Sequence, residues 1–111
     1  MEIKLKKRPG AKTTTIYENN GVPRISYLSL ERYPWLFNGF STRMGGVSTG
    51  CYESMNLAFT VGDDREKVLE NYRLFGESVG ISREQMVFSD QQHTVNVMEV
   101  TSDHLGRMAS V

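Results

Sequence analysis

In "TTTIYENNGVPRISYLSL", residues 13–30, β-branched and aromatic residues interleave with polar ones on both sides of Asn20-Gly21. That dipeptide supplies the positive φ angles of a tight two-residue turn, so the stretch predicts a β-hairpin. Pro23 lacks an amide donor, which predicts an edge position for the second strand. "SLERYPW" predicts a helical turn that ends before Pro34. "LFNGFS" (36–41) and "MNLAFTV" (55–61) are short apolar runs that predict buried strands. Between them lies "TRMGGVSTGCYES", which follows neither helical nor strand spacing. Val68, Tyr72, Phe75 and Val79 then recur at helical spacing, with Asp63 or Asp64 as the cap and Gly80 as the stop. Ser82 with Gln85 three residues on predicts a capped short turn. "MVFSD" (86–90) and the alternating "TVNVMEV" (94–100) predict further strands, and "TSDHLGRMASV" shows no period.

The fold class implied is α+β: a mixed sheet with an N-terminal hairpin and one main helix. The strongest strand pattern comes near the end, which suggests the front half of a larger α/β layered domain, with residues 1–111 its N-terminal part. Composition narrows the function. Thirteen basic residues balance thirteen acidic ones, so no global field draws nucleic acid or an anionic membrane. The basic start "KLKKRPGAK" is local and reads as a solvated tail. No apolar run approaches the ~20 residues of a membrane span, and no apolar core follows the N-terminal charges as in a signal peptide. The single cysteine excludes an internal disulfide and fits a cytoplasmic location.

The loop "STRMGGVSTG" has the composition of an anion site. Arg43 offers a planar fork of donors, Gly45 and Gly46 permit close backbone approach, and Ser41, Thr42 and Ser48 add hydroxyls. Its spacing matches neither a P-loop nor a dinucleotide fingerprint, so an ordinary surface loop fits the same residues. His93 and His104 are the only histidines and Cys51 the only cysteine. His93 therefore reads as a zinc ligand lacking partners or as a hydrogen-bonded structural residue. Cys51 and His104 read as incidental, and the scattered methionines as filler rather than copper ligands.

"GFSTRMGGVSTGCYESMNLAFTVGDD", "ENYRLFGESVGI" and "SDQQHTVNV" together resemble the N-terminal part of the YfiH-type family. Its members have been called polyphenol oxidases or laccase-domain proteins, and several are regarded as purine nucleoside phosphorylases. The resemblance runs roughly from Gly39 to Val100 and rests on F-S-T-R-x-G-G-V-S, N-L, V-G-D-D and Q-x-H occurring in that order. It implies a zinc held by two histidines and one cysteine, with His93 as the first ligand. The other two belong to D-C and H-x-G-W-type segments that do not occur in these 111 residues. Cys51 stands where the family has no ligand. Gln92 and Thr94 replace the apolar residue and glycine of the usual Q-V-H-G, and Asn38 replaces the more usual histidine or alanine.

The resemblance implies phosphorolysis of adenosine- or inosine-type nucleosides, with an adenosine deaminase side activity. Purine nucleoside and phosphate are then the partners. Arg43, Asn56 and Gln91 are the expected catalytic residues: Arg43 with Gly45 and Gly46 for phosphate, Asn56 to orient ligand, and Gln91 to hold His93 or substrate. The chain alone is expected to be inactive and to self-associate through an exposed sheet edge. The rival expectations are a copper-dependent polyphenol oxidase and a non-catalytic binding or structural fragment.

Overall fold

A computed structural model describes residues 6, 9–10, 12–90, 92–106 and 108–110. The hairpin forms as the sequence predicts, with β1 (Thr14–Asn19) antiparallel to β2 (Val22–Tyr27) and Asn19 opposite Val22. Asn20 and Gly21 both take positive φ, 54° and 77°, in a turn whose twist matches the strands it joins. A single helical turn, α1 (Leu28–Glu31), follows directly and ends before Pro34.

β3 is only Phe40–Ser41, and it pairs antiparallel with β2, so the sheet order is β1-β2-β3. The expectation that Pro23 marks an edge strand therefore fails for β2 as a whole. The proline is tolerated because β3 reaches only Arg24 and Ile25, stopping one residue short of it.

The main helix, α2 (Arg65–Val79), is capped by Asp64, whose carboxylate accepts from the Glu66 amide at 2.9 Å. Gly80, at φ 81°, turns the chain out of it. The next turn, Arg83–Gln85, opens as its sequence predicts: the Ser82 amide donates to Gln85 Oε1 at 3.0 Å. β4 (Phe88–Asp90) then pairs parallel with β5 (Met108–Ser110) in a separate two-stranded sheet. The architecture is thus α+β, a small antiparallel sheet and one main helix. No helix among the described residues is long and apolar enough to cross a membrane.

Two expected strands do not form. Residues 55–61 run irregularly over α2, and their carbonyls are taken by its side chains: Asn71 Nδ2 donates to Asn56 O and Tyr72 Oη to Leu57 O. Residues 94–100 form no ladder either, although their alternation is the clearest in the chain. Val95 and Val97 are 96% and 94% exposed. Alternation makes a strand only where another strand offers its edge.

The interior is small. Val22, Met55 and Val68 are its buried apolar side chains among the described residues, and Phe59, Tyr72 and Phe88 pack ring to ring at centroid distances of 4.6 to 5.7 Å. An open apolar depression of about 610 Å³ lies along this cluster, between Leu57, Phe75, Ile81 and Met86. The Cα radius of gyration, 15.3 Å, exceeds the ~13 Å of a compact domain of this length.

Candidate functional site

The glycine-rich loop is a closed ring. The Arg43 carbonyl accepts from the amides of Ser54 and Met55, at 2.7 and 3.0 Å, and the Ser48 amide donates to Ser54 O at 3.0 Å. Ser54 Oγ fills the middle, donating to Arg43 O and accepting from the Gly46 amide. The Glu53–Ser54 peptide within the ring is cis.

Both glycines are required by packing. A Cβ on Gly45, at φ 92°, would lie 2.9 Å from Gly21 O, because the loop rests on the hairpin turn. A Cβ on Gly46 would collide with Ser54 O and lie 2.6 Å from Asn71 Oδ1. The close approach these glycines permit is to the protein's own backbone and side chains. The Gly46 amide is bonded to Ser54, and its neighbour Val47 donates to Asn71 Oδ1 at 2.7 Å.

Asn71 joins this ring to α2. It is completely buried, and its amide group is satisfied at both ends. Oδ1 accepts from Val47, while Nδ2 donates to Ser48 Oγ at 2.9 Å and to Asn56 O at 2.8 Å. These partners fix the amide orientation, since an N–H must meet the oxygen and a carbonyl must meet the nitrogen. The Ser48 hydroxyl passes the chain on to Asp63 Oδ2 at 2.5 Å, where Asn56 Nδ2 also donates at 3.1 Å. A run of donors and acceptors each polarising the next thus connects α2, the loop and the segment before the helix.

Hydrogen bonds from Ser48 and Asn56 hold the Asp63 carboxyl below the usual carboxylate range, with smaller help from the Asp64 amide and Lys67. Glu70 is lowered by its bond to Arg73. The sign of the pH effect follows from these lowered values. Stability contributed by both groups is complete above the unfolded carboxylate pKa and is lost as pH falls through the folded values. Thermal midpoints should therefore drop below roughly pH 4, and Asp63→Asn should flatten that slope. An unchanged acid slope in Asp63→Asn would show that the ring does not depend on the ionised carboxylate.

The expected site residues are distributed unevenly over this arrangement. Arg43 is exposed, and its Nε and Nη2 donate to Glu53 O at 3.3 and 3.2 Å. Among the described residues no carboxylate pairs with it. Asn56 lies in the same network; its side chain closes a turn on Ala58 and reaches Asp63. Arg43, Gly45, Gly46 and Asn56 are thus parts of one assembly. Gln91 lies outside the described residues. His93 stands in an exposed bend beyond β4 with φ 56°, a left-handed conformation that costs a non-glycine residue about 1 kcal/mol.

His104 is used locally, its Nδ1 accepting from the Thr101 amide at 3.0 Å. Cys51 is a free, exposed thiol on the 3₁₀ turn Gly50–Tyr52. Among the described residues no three histidine, cysteine, aspartate or glutamate side chains converge as metal ligands. The donors among the described residues do not by themselves complete a metal site. Residue order did not mark Asn71 and offered Asp63 only as a helix cap. The signal for Asn71 was available: a polar residue on the face otherwise marked by Val68, Tyr72, Phe75 and Val79.

Residues 37–110 match the family described as multi-copper polyphenol oxidoreductase laccase. The chain belongs to this family. A purine nucleoside phosphorylase of Bacteroides thetaiotaomicron is 33% identical over 81 residues, which cover 73% of this chain and 30% of the relative. The purine nucleoside phosphorylase YlmD of Geobacillus stearothermophilus is 35% identical over 71 residues, 64% of this chain and 26% of its own length. A purine nucleoside phosphorylase of Corynebacterium glutamicum is 40% identical over 62 residues, 54% of this chain and 25% of its own. The family member described here therefore spans about a quarter to a third of these relatives. No solved structure matches it.

Proposed function

We propose that residues 1–111 form the front part of a cytoplasmic purine nucleoside phosphorylase whose phosphate is met by Arg43. The observation that carries this reading is the state of Arg43. It is a cation without a carboxylate partner among the described residues, mounted on a ring pinned to the main helix and lying within the stretch shared with the phosphorylase relatives. In this reading phosphate attacks C1′ of a nucleoside such as adenosine or inosine while the purine leaves. Arg43 meets the anion, and Asn56 sets the ring from inside. A guanidinium held by a preorganised loop keeps its charge in place without reorganising during the reaction. Gln91 and His93 belong to the same reading, His93 as one of several zinc ligands drawn from a longer protein and Gln91 as its support. A deaminase side activity on adenosine would depend on that same metal site.

Among the described residues no ligand set converges, and inactivity in isolation is part of the proposal. So is self-association through an exposed sheet edge, such as that of β1. Copper-dependent phenol oxidation has the family description in its favour; the names of the relatives favour phosphorolysis.

The test is phosphate-dependent cleavage of adenosine and inosine by the full gene product. Arg43→Ala should raise the KM for phosphate about tenfold or more, with the KM for nucleoside little changed, as expected for loss of one charge-assisted pair. An unchanged phosphate KM, with only the melting temperature altered, would reduce Arg43 to a structural part of the loop.

A further inference from the structure

We infer that Asn71, buried in α2, is the positioning residue that sets how Arg43 is presented. The inference rests on the phosphorylase reading of the loop and names a residue which that reading does not contain. The ring from Arg43 to Ser54 is closed by its own hydrogen bonds, so those bonds fix its shape and leave its orientation on the helix open. Asn71 supplies the buried bonds from the helix, beside the hairpin turn under Gly45 and Asp63 against Ser48. It takes the Val47 amide on one side of its carboxamide, and Ser48 Oγ and Asn56 O on the other. The only other hydrogen bond from an α2 side chain to the ring, among the described residues, is from Lys67 Nζ to Thr49 Oγ1, exposed and 3.3 Å long.

Arg43 follows the ring closely, because its own side chain is bonded to Glu53 O and its carbonyl to Ser54 and Met55. A change at Asn71 is therefore transmitted to the guanidinium through the ring's backbone, since no hydrogen bond joins the two side chains among the described residues. No shorter residue at position 71 reaches all three partners, and an aspartate meets the Asn56 carbonyl with oxygen against oxygen.

The experiment uses the full gene product with inorganic phosphate and inosine. Asn71→Asp keeps the acceptor for Val47 and inverts the other side. Ser48→Ala removes one link and leaves the Asn71 bonds to Val47 and Asn56 in place. Tyr72→Phe serves as the control, losing the Oη bond to Leu57 O from the same helix without touching the ring. Asn71→Asp should raise the KM for phosphate about tenfold, and Ser48→Ala should raise it severalfold, with inosine KM steady in both. Tyr72→Phe should lower the melting temperature and leave phosphate KM within about twofold.

If Asn71→Asp does not fold, Ser48→Ala decides. A phosphate KM that tracks melting temperature equally in all folded variants, the control included, overturns the positioning role. So does an unchanged phosphate KM in Ser48→Ala and Asn71→Asp. Absence of phosphorolysis in the unmodified protein refutes the phosphorylase reading instead, which separates the two failures.

Discussion

Gly46→Ala is expected to cost the fold about 3 kcal/mol or more, at the upper end of what overpacking does. Its new methyl would overlap the Ser54 carbonyl and lie 2.6 Å from Asn71 Oδ1 and 2.7 Å from Met55 Cα. Two of those neighbours are backbone, and the third is an amide held by several partners, so none yields as a flexible side chain would. The ring has to open or lift from α2, and with it go the Val47 and Ser48 links. Urea unfolding followed by helical circular dichroism would measure the loss. The single tryptophan, Trp35, is 77% exposed and would report little of it. A shift in midpoint worth less than about 1 kcal/mol would mean that the ring can re-seat, contrary to the tight packing around Gly46.

Asn71→Leu should cost a comparable amount for a different reason. Leucine fills similar space but leaves the Val47 amide and the Asn56 carbonyl facing a side chain that cannot bond, while the Ser48 hydroxyl keeps its bond to Asp63. Each stranded buried polar group costs about 1–3 kcal/mol, and the added apolar burial offsets part of the sum. A net loss of about 2–5 kcal/mol follows, with the slope of the urea transition preserved. A loss below about 0.5 kcal/mol would show that water reaches those groups once the carboxamide is gone. Asn71→Leu reports on stability alone, whereas Asn71→Asp and Ser48→Ala report on phosphate.

What could be read from residue order divides along physical lines. The hairpin needed only Asn20-Gly21 between alternating runs, because turn chemistry and strand twist are properties of a few adjacent residues. α2 was legible from the spacing of Val68, Tyr72, Phe75 and Val79, from Asp63 or Asp64 at its start and from Gly80 at its end. The family was also legible, since ordered motifs between Phe40 and His93 are linear features, and the match over residues 37–110 bears them out. Residues 55–61 and 94–100 carry strand patterns equally plain, yet neither forms a strand. The first finds helix side chains as partners for its carbonyls, and the second finds no strand edge among the described residues. β5, in a tail without period, gained its strand from β4.

The sequence by itself determined the hairpin, the capped helix, the family and the grouping of Arg43, Gly45 and Gly46 on one loop, because each depends on neighbours a few positions apart. Only the tertiary structure decided why that loop contains glycines. Gly45 meets the hairpin turn and Gly46 meets Asn71, contacts across 24 and 25 residues of chain. It also decided that Asp63 binds the ring while Asp64 caps the helix, and that Asn71 on the apolar face is satisfied. A buried polar group is tolerated only when its partners arrive from elsewhere in the chain, and no local pattern records their arrival.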